Sequence, residues 1–246
     1  MKILCFSGLF ALSAAVHART FVSVEADQSW QSRNVVRIPN ASGTLFSLSD
    51  FSKGPFSTNR VYAGYSWNNK HELRALYAPL AVEVNGKFSK TVNYQGETFA
   101  SGVNTVGFYK FNSYRLSYAY HFQSSGTWDV ALGFTGKIRD AAIKLTQGTK
   151  SAEKTDVGFV PLLNFQAARK LSDSFKIRFD VDGSWAPQGR AVDAALFLEW
   201  ALFDFGAGHR LSVFGGYRTI EGGADVPVVY NFAWIQKAVV GLRGDF

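Results

Sequence analysis

The side chains in this chain that could do chemistry are few and widely spaced. Beyond residue 17 there are three histidines, His71, His121 and His209, and the single cysteine is Cys5. A catalytic histidine needs a nucleophile within reach and a carboxylate to orient its ring. His209-Arg-Leu-Ser212 puts histidine and serine on opposite faces of a strand, because strand side chains alternate with period two. His121 stands just ahead of Ser124 and Ser125 in what reads as a short turn. Asp180 and Asp182 share one strand face, but Lys176 and Arg178 lie on that face and can neutralise them. Glu221-Gly-Gly-Ala-Asp225 holds two carboxylates, and it reads as a tight turn rather than a cation loop. No His-x-x-x-His spacing occurs. We therefore expect no catalytic residue, no cofactor and no metal site, and we read the histidines as polar anchors near strand ends.

The elements that must position these residues are strands. From Phe175 onward, Phe175, Ile177, Phe179, Val181 and Trp185 are apolar, while Lys176, Arg178, Asp180, Asp182 and Ser184 are polar. The pattern recurs over Tyr114–Phe122, Trp128–Phe134 and Ala238–Phe246. Period-two alternation describes a strand with one apolar face. The chain is 47% apolar and 15% aromatic but only 18% charged, which excludes disorder. Its longest apolar run after residue 18, Ala194–Phe203, is broken by Glu199 and falls short of the ~20 residues of a spanning helix. A secreted β-sandwich and a transmembrane β-barrel remain.

Three features favour the barrel. The strands are long. Tryptophans fall near strand ends on the apolar face: Trp67, Trp128 and Trp200 toward one rim, Trp185 and Trp234 toward the other, as in two aromatic girdles. Short connections (Asn68–Lys70, Gln123–Thr127, Leu171–Ser174, Phe205–Gly208) alternate with longer ones (Gln28–Ser57, Asn85–Gly102, Gly148–Lys154, Glu221–Asn231). Laying strands between them predicts an all-β, single antiparallel transmembrane β-barrel of ten strands, near 20–27, 58–68, 71–82, 104–122, 127–146, 155–170, 174–186, 190–204, 209–220 and 232–246. Eight or twelve strands also fit, because Lys87–Tyr94 could form another strand and Asn112-Ser113 could break one. Pro79 and Pro161 predict bulges, since proline has no N–H to donate.

The N-terminus reads as a cleavable signal peptide over 1–18. It has a basic start at Lys2, an apolar stretch Ile3–Val16 and small residues at Val16-His17-Ala18. The remaining 19–246 would be the barrel, exported to the bacterial outer membrane, without cysteine and monomeric by default.

A one-residue slip at 174–186 would put Lys176 and Arg178 in lipid at ~2–4 kcal/mol per midplane cation, so the charged face must point inward. The interior then gathers Glu25, Glu72, Asp129, Asp180, Asp182, Asp193, Glu199 and Asp245 with Arg60, Arg74, Arg115, Lys137, Arg139, Lys176, Arg178, Arg210, Arg218, Lys237 and Arg243. Near balance of sign predicts a charge-paired, plugged lumen, with Arg60, Glu72, Arg74, Arg115, Arg178, Asp180, Asp182, Asp193, Glu199, Arg210 and Arg218 as its network. The expected role is structural or binding, through loops Gln28–Ser57 and Asn85–Gly102. A narrow channel for small polar solutes is the alternative, and a rim-site hydrolase comes third. Although the net charge is +7, the bases alternate into the interior, which argues against nucleic acid as a partner.

The C-terminus resembles the assembly signal of outer-membrane barrels, with Phe246 last and Leu242, Val240 and Ala238 at alternating positions, although Gly244 departs from the usual large apolar residue. Ile38-Pro39, Gly43–Leu48, Gly216-Tyr217-Arg218, Glu221–Asp225 and Tyr230–Trp234 resemble a family of uncharacterised proteobacterial outer-membrane β-barrel proteins. That resemblance implies insertion by the barrel assembly machinery, contact with outer-membrane lipid and lipopolysaccharide, and no particular activity. The histidines do not match the His-x-Ser pattern of the lipid A 3-O-deacylase family. Asp180-Val-Asp182 is similar to an omptin acid pair but has no histidine at the expected extracellular rim.

Overall fold

The computed structural model describes residues 18–246, so the predicted signal peptide lies outside the described residues except for Ala18, which begins the first strand. Ten long strands run up and down: β1 (Ala18–Arg37), β2 (Phe56–Trp67), β3 (His71–Ala78, resuming as Ala81–Lys87), β4 (Asn104–Ser125), β5 (Trp128–Gln147), β6 (Lys150–Lys170), β7 (Phe175–Ala186), β8 (Gly189–Gly206), β9 (His209–Val226) and β10 (Val229–Asp245). Each pairs antiparallel with its sequence neighbours, and β10 returns to pair with β1 over Phe21↔Asp245 to Arg37↔Tyr230. The sheet is therefore a closed ten-stranded barrel, and closure removes the free edges that an open sheet would expose.

Alternation sets the register. On β1, Val22 and Val24 are 46% and 47% exposed on the outside, while Ser23 and Glu25 are 3% and 2% exposed inside. Leu116, Phe134, Leu163, Leu196 and Val240 continue the outward apolar surface around the barrel.

The strands extend further at one end than the sequence suggests. β1 runs to Arg37 rather than stopping at 27, because its inward Ser23, Glu25, Asp27, Ser29 and Gln31 form one polar face. A bulge between Gln31 and Arg33 then switches the inward parity to Asn34 and Val36, and this hides the continuation from a period-two reading. The connections expected to be long at 148–154 and 221–231 are tight, since Gln147 pairs with Lys150 and Val226 with Val229. Glu221–Asp225 is accordingly strand and not a turn. Among the described residues only 38–55 and 88–103 remain as long connections. Val92–Tyr94 pairs with Glu97–Phe99 in a separate small hairpin, so it adds no barrel strand.

Asn112-Ser113 does not interrupt β4. Asn112 compensates for the break at Pro79, its Oδ1 accepting the Leu80 N–H at 3.0 Å. Pro161 makes no bulge: β6 stays in register with β5 through Pro161↔Gly136. On its other side the β6–β7 ladder runs only from Lys170↔Lys176 to Leu163↔Gly183, so the two strands part beyond that point. Pro161 lies two residues into this split and has no N–H to donate, in keeping with an unpaired edge.

The two loops fold inward over the upper lumen. Ile38, Phe46, Leu48, Val92, Tyr94 and Phe99 pack against Val36, Val84, Tyr109, Ile143 and Leu145 from the walls. The loops are tied to each other by Thr44 N–H to Asn93 O (2.9 Å) and to the barrel by Tyr94 Oη to Ile143 O (2.7 Å). Phe51 lies so close to Gly86 that a Cβ there would sit 2.3 Å from its ring, so the loop fills the gap where β2 and the upper half of β3 part. No loop fills the β6–β7 split in the same way among the described residues.

Candidate functional site

At mid-height the inward charges converge from opposite walls. Asp193 of β8 is their centre. Its Oδ2 accepts from Arg60 Nη2 at 2.9 Å and Arg115 Nη2 at 2.7 Å, and its Oδ1 from Arg218 Nη1 at 2.6 Å. Glu25 accepts from Arg218 at 2.9 and 3.2 Å, and the Tyr62 hydroxyl accepts from Arg60 and Arg218 at 3.2 and 3.1 Å. Asp182 accepts from Arg115 at 2.7 Å, Thr135 at 2.8 Å and Asn164 at 2.9 Å. Asp180 takes a two-bond contact from Arg74 at 2.6 and 3.1 Å, the fork geometry that favours arginine over lysine. Arg60, Arg115, Arg218, Asp193 and Glu25 are each at most 7% exposed. Charges this deeply desolvated persist only when paired and hydrogen-bonded.

The space left among Arg60, Tyr62, Arg74, Asp180, Asp182 and Asp193 is about 10 Å³. That is at the lower limit for a single water. Below it, Glu199 pairs with Lys176 at 2.8 Å and lies 3.6 Å from Arg178, whose guanidinium also sits over Phe197 and Phe214. Above it, Lys237 donates to Asp27 at 3.0 and 3.2 Å. Glu72 lies 4.0 Å from Arg74. Arg210 stands apart from the cluster: it pairs with Asp204 at 2.6 Å on the exposed short-turn rim, where β8 and β9 shift register. Tyr62, Asp27 and Asn164 join the network: no charge pattern marks the tyrosine or the asparagine, whereas Asp27, the last residue of the strand expected at 20–27, shares the inward parity of Glu25 and could have been read from it.

Above the cluster a vestibule of about 530 Å³ opens between β5, β6, β7 and the hairpin ends at 187–188 and 227–228. Arg115, Lys137 and Asp193 line its floor, and Ile143, Ile220, Val229 and Ile235 its upper walls.

The histidines sit at the short-turn end. His71 stacks on Trp67 (5.0 Å, 10°) and contacts the Tyr118 hydroxyl at 2.8 Å, while His121 Nδ1 lies 2.7 Å from Asp129. Among the described residues no serine hydroxyl bonds to a histidine ring, and no three of His, Cys, Asp and Glu gather into a metal-binding group. Asp180 and Asp182 spend their oxygens on Arg74 and Arg115.

The tryptophans point outward. Trp128 (44% exposed) and Trp200, stacked on Phe175 at 5.9 Å, share the rim of Trp67, and Trp185 and Trp234 lie toward the other end. Trp234 donates to Thr219 Oγ1 at 2.7 Å. Val240 and Leu242 face outward on β10, opposite Ala26 and Val24 of β1, and Phe246 exchanges backbone bonds with Thr20 at 2.8 and 3.0 Å.

No family model and no curated protein matches the chain. Among solved structures it is similar to the outer membrane protease OmpT from Escherichia coli, at 8% identity and a TM-score of 0.49 over 93% of this chain and 97% of that one. The attachment invasion locus protein Ail of Yersinia pestis gives 11% identity and 0.41 over 93% and 99%. An outer membrane channel from Pseudomonas putida gives 8% and 0.41 over 93% and 95%. These structural neighbours are bacterial outer-membrane β-barrel proteins with unlike activities, so the likeness is one of architecture and transfers no function.

Proposed function

We propose that the chain is an integral outer-membrane barrel, of the uncharacterised proteobacterial family that its sequence resembles, with a plugged lumen and a binding or structural role carried by its extracellular half. The observation that carries this is Asp193, held by three guanidinium groups with about 10 Å³ of free space around it. Such a cross-barrel pairing leaves no continuous polar path, which favours a binding barrel over a narrow channel. The outward apolar surface between Trp128 and Trp200 on one side and Trp185 and Trp234 on the other supports a membrane location. Arg33, Arg37 and Arg190 stand on the outer face toward the loop end, where lipopolysaccharide phosphates would meet them; Glu221 bridges Arg33 and Arg190 at 2.9 and 2.8 Å. One chain closes the whole barrel, which supports a monomer inserted by the barrel assembly machinery. No hydrolase is favoured, because His121 has Asp129 beside it but no hydroxyl nucleophile bonded to its ring among the described residues. The test is swelling of liposomes that carry the refolded protein, in an arabinose gradient. The proposal expects no swelling above protein-free liposomes, and swelling at porin-like rates would refute the plugged reading.

A further inference from the structure

The vestibule has a basic group left over. The carboxylates that line it are all ion-paired: Asp156 to Arg139, Asp182 to Arg115, Asp193 to its arginines and Glu221 to Arg190. Lys137 is different. It is 3% exposed, lines the floor, and makes no ion pair or side-chain hydrogen bond with a described residue; its ammonium faces the Phe111 ring at 4.5 Å. Lys154, also on the lining, has no ion pair among the described residues either. An amine buried to this degree without a carboxylate partner is held as a cation only when something anionic approaches it.

The walls above Lys137 are of the opposite character. Ile143, Ile220, Val229, Ala233 and Ile235 are apolar, and a volume of about 530 Å³ falls in the ~300–1,000 Å³ range of small-molecule sites. The site also has a side entrance. The β6–β7 ladder ends at Leu163↔Gly183, and Phe159, Pro161 and Trp185 line the cavity at the resulting split although Phe159 and Trp185 also face outward, at 67% and 81% exposure. A tilted strand crosses the hydrocarbon core in about 9–11 residues. Counted from the rim pair Trp128↔Arg169 on β6, that distance ends near Phe159, and counted from Phe175 on β7 it ends near Trp185. The split therefore opens at the level of the outer leaflet.

We propose that the vestibule binds an anionic single-chain amphiphile of the long-chain carboxylate class, taken from the outer leaflet through the β6–β7 split. The head group rests on Lys137 and the chain lies along the wall of Ile143, Ile220 and Ile235 and out past Phe159 and Trp185. The floor of this site is the closed ion-pair cluster, so the inference rests on the plugged-lumen reading.

The full chain, refolded into phosphatidylcholine vesicles, would be photolabelled with a dodecanoate carrying a diazirine at its far end, and the adducts mapped by mass spectrometry. Adducts are expected at 157–163 and 184–186. Lys137→Met keeps the stem and removes the charge, and should weaken labelling about tenfold, the loss expected for one charge-assisted bond. Ala141→Phe fills the cavity without changing charge and should abolish labelling. Lys110→Met, whose lysine is paired to Asp140 at 2.8 Å and is not among the cavity-lining residues, should leave it unchanged. Equal labelling by the corresponding neutral alcohol would overturn the anionic head group. Adducts confined to 187–188 and 227–228 would overturn entry through the split, and an unaffected Lys137→Met would overturn the site. Absent labelling in vesicles that also fail to swell refutes this inference alone, whereas swelling refutes the plugged reading beneath it.

Discussion

Replacing Asp193 by asparagine should remove most of what holds the lumen cluster together. Arg60, Arg115 and Arg218 face Asp193, Glu25 and Asp182, a locally neutral set, and the substitution leaves one uncompensated positive charge among groups that are at most 7% exposed. At about 4 Å and an effective dielectric of ~20, each arginine contact to Asp193 is worth about 4 kcal/mol before desolvation, which takes several kcal/mol per ion in return. Breaking a buried pair by removing one partner costs about 3–5 kcal/mol, and we expect the Asp193→Asn barrel to lose that much. The assay is equilibrium urea unfolding of the chain refolded into phospholipid vesicles, followed by fluorescence of its tryptophans, with an unchanged slope showing that the unfolding unit is the same. Adding Arg60→Met to Asp193→Asn restores neutrality, so the double variant should be more stable than the single one. A loss below about 1 kcal/mol would mean that the guanidinium groups behave as solvated surface pairs, and the reasoning from a dry, closed lumen would be refuted.

Other outcomes test the shell of the barrel. Leu196→Arg places a cation on the outward face of β8, 53% exposed in the protein alone, and should cost ~2–4 kcal/mol in the same vesicle assay if that face meets hydrocarbon; a neutral result would argue against a membrane belt there. Gly64 lies opposite Phe21, and an added Cβ would come within 2.1 Å of the ring, over which Arg243 also sits at 3.7 Å. Gly64→Val should therefore destabilise by about 1–3 kcal/mol, and an unchanged urea midpoint would show that the ring moves freely. Deleting Phe246 removes both backbone bonds to Thr20 and should lower the amount of protein in the outer-membrane fraction of cells, whereas unchanged levels would speak against a C-terminal assembly role.

Most of the barrel was legible because lipid and lumen impose opposite chemistry on alternate residues, so that Lys176, Arg178, Asp180 and Asp182 could face only inward. What the sequence hid has local causes. The bulge after Gln31 changes parity and makes Asn34–Arg37 look like loop. Gly222 and Gly223 in β9 imitate a turn, yet they are glycines for close approach, since a Cβ on Gly223 would meet Asn231 O at 2.0 Å. The partners within the lumen were out of reach for a different reason. Parity says which residues point inward but not the barrel's stagger, so the meeting of Arg60 with Asp193 across 133 residues, or of Arg218 with Glu25, has no one-dimensional signature. The vestibule has no signature in the sequence because it arises from where a ladder stops, at Leu163↔Gly183, and from a lysine without an ion pair among the described residues.

The closed lumen is tested most directly by single-channel recording in planar bilayers. The wild-type chain should insert without a steady open level in either voltage polarity, because the cluster around Asp193 leaves about 10 Å³ among its charged side chains. A stable open conductance in the wild-type protein would contradict that account.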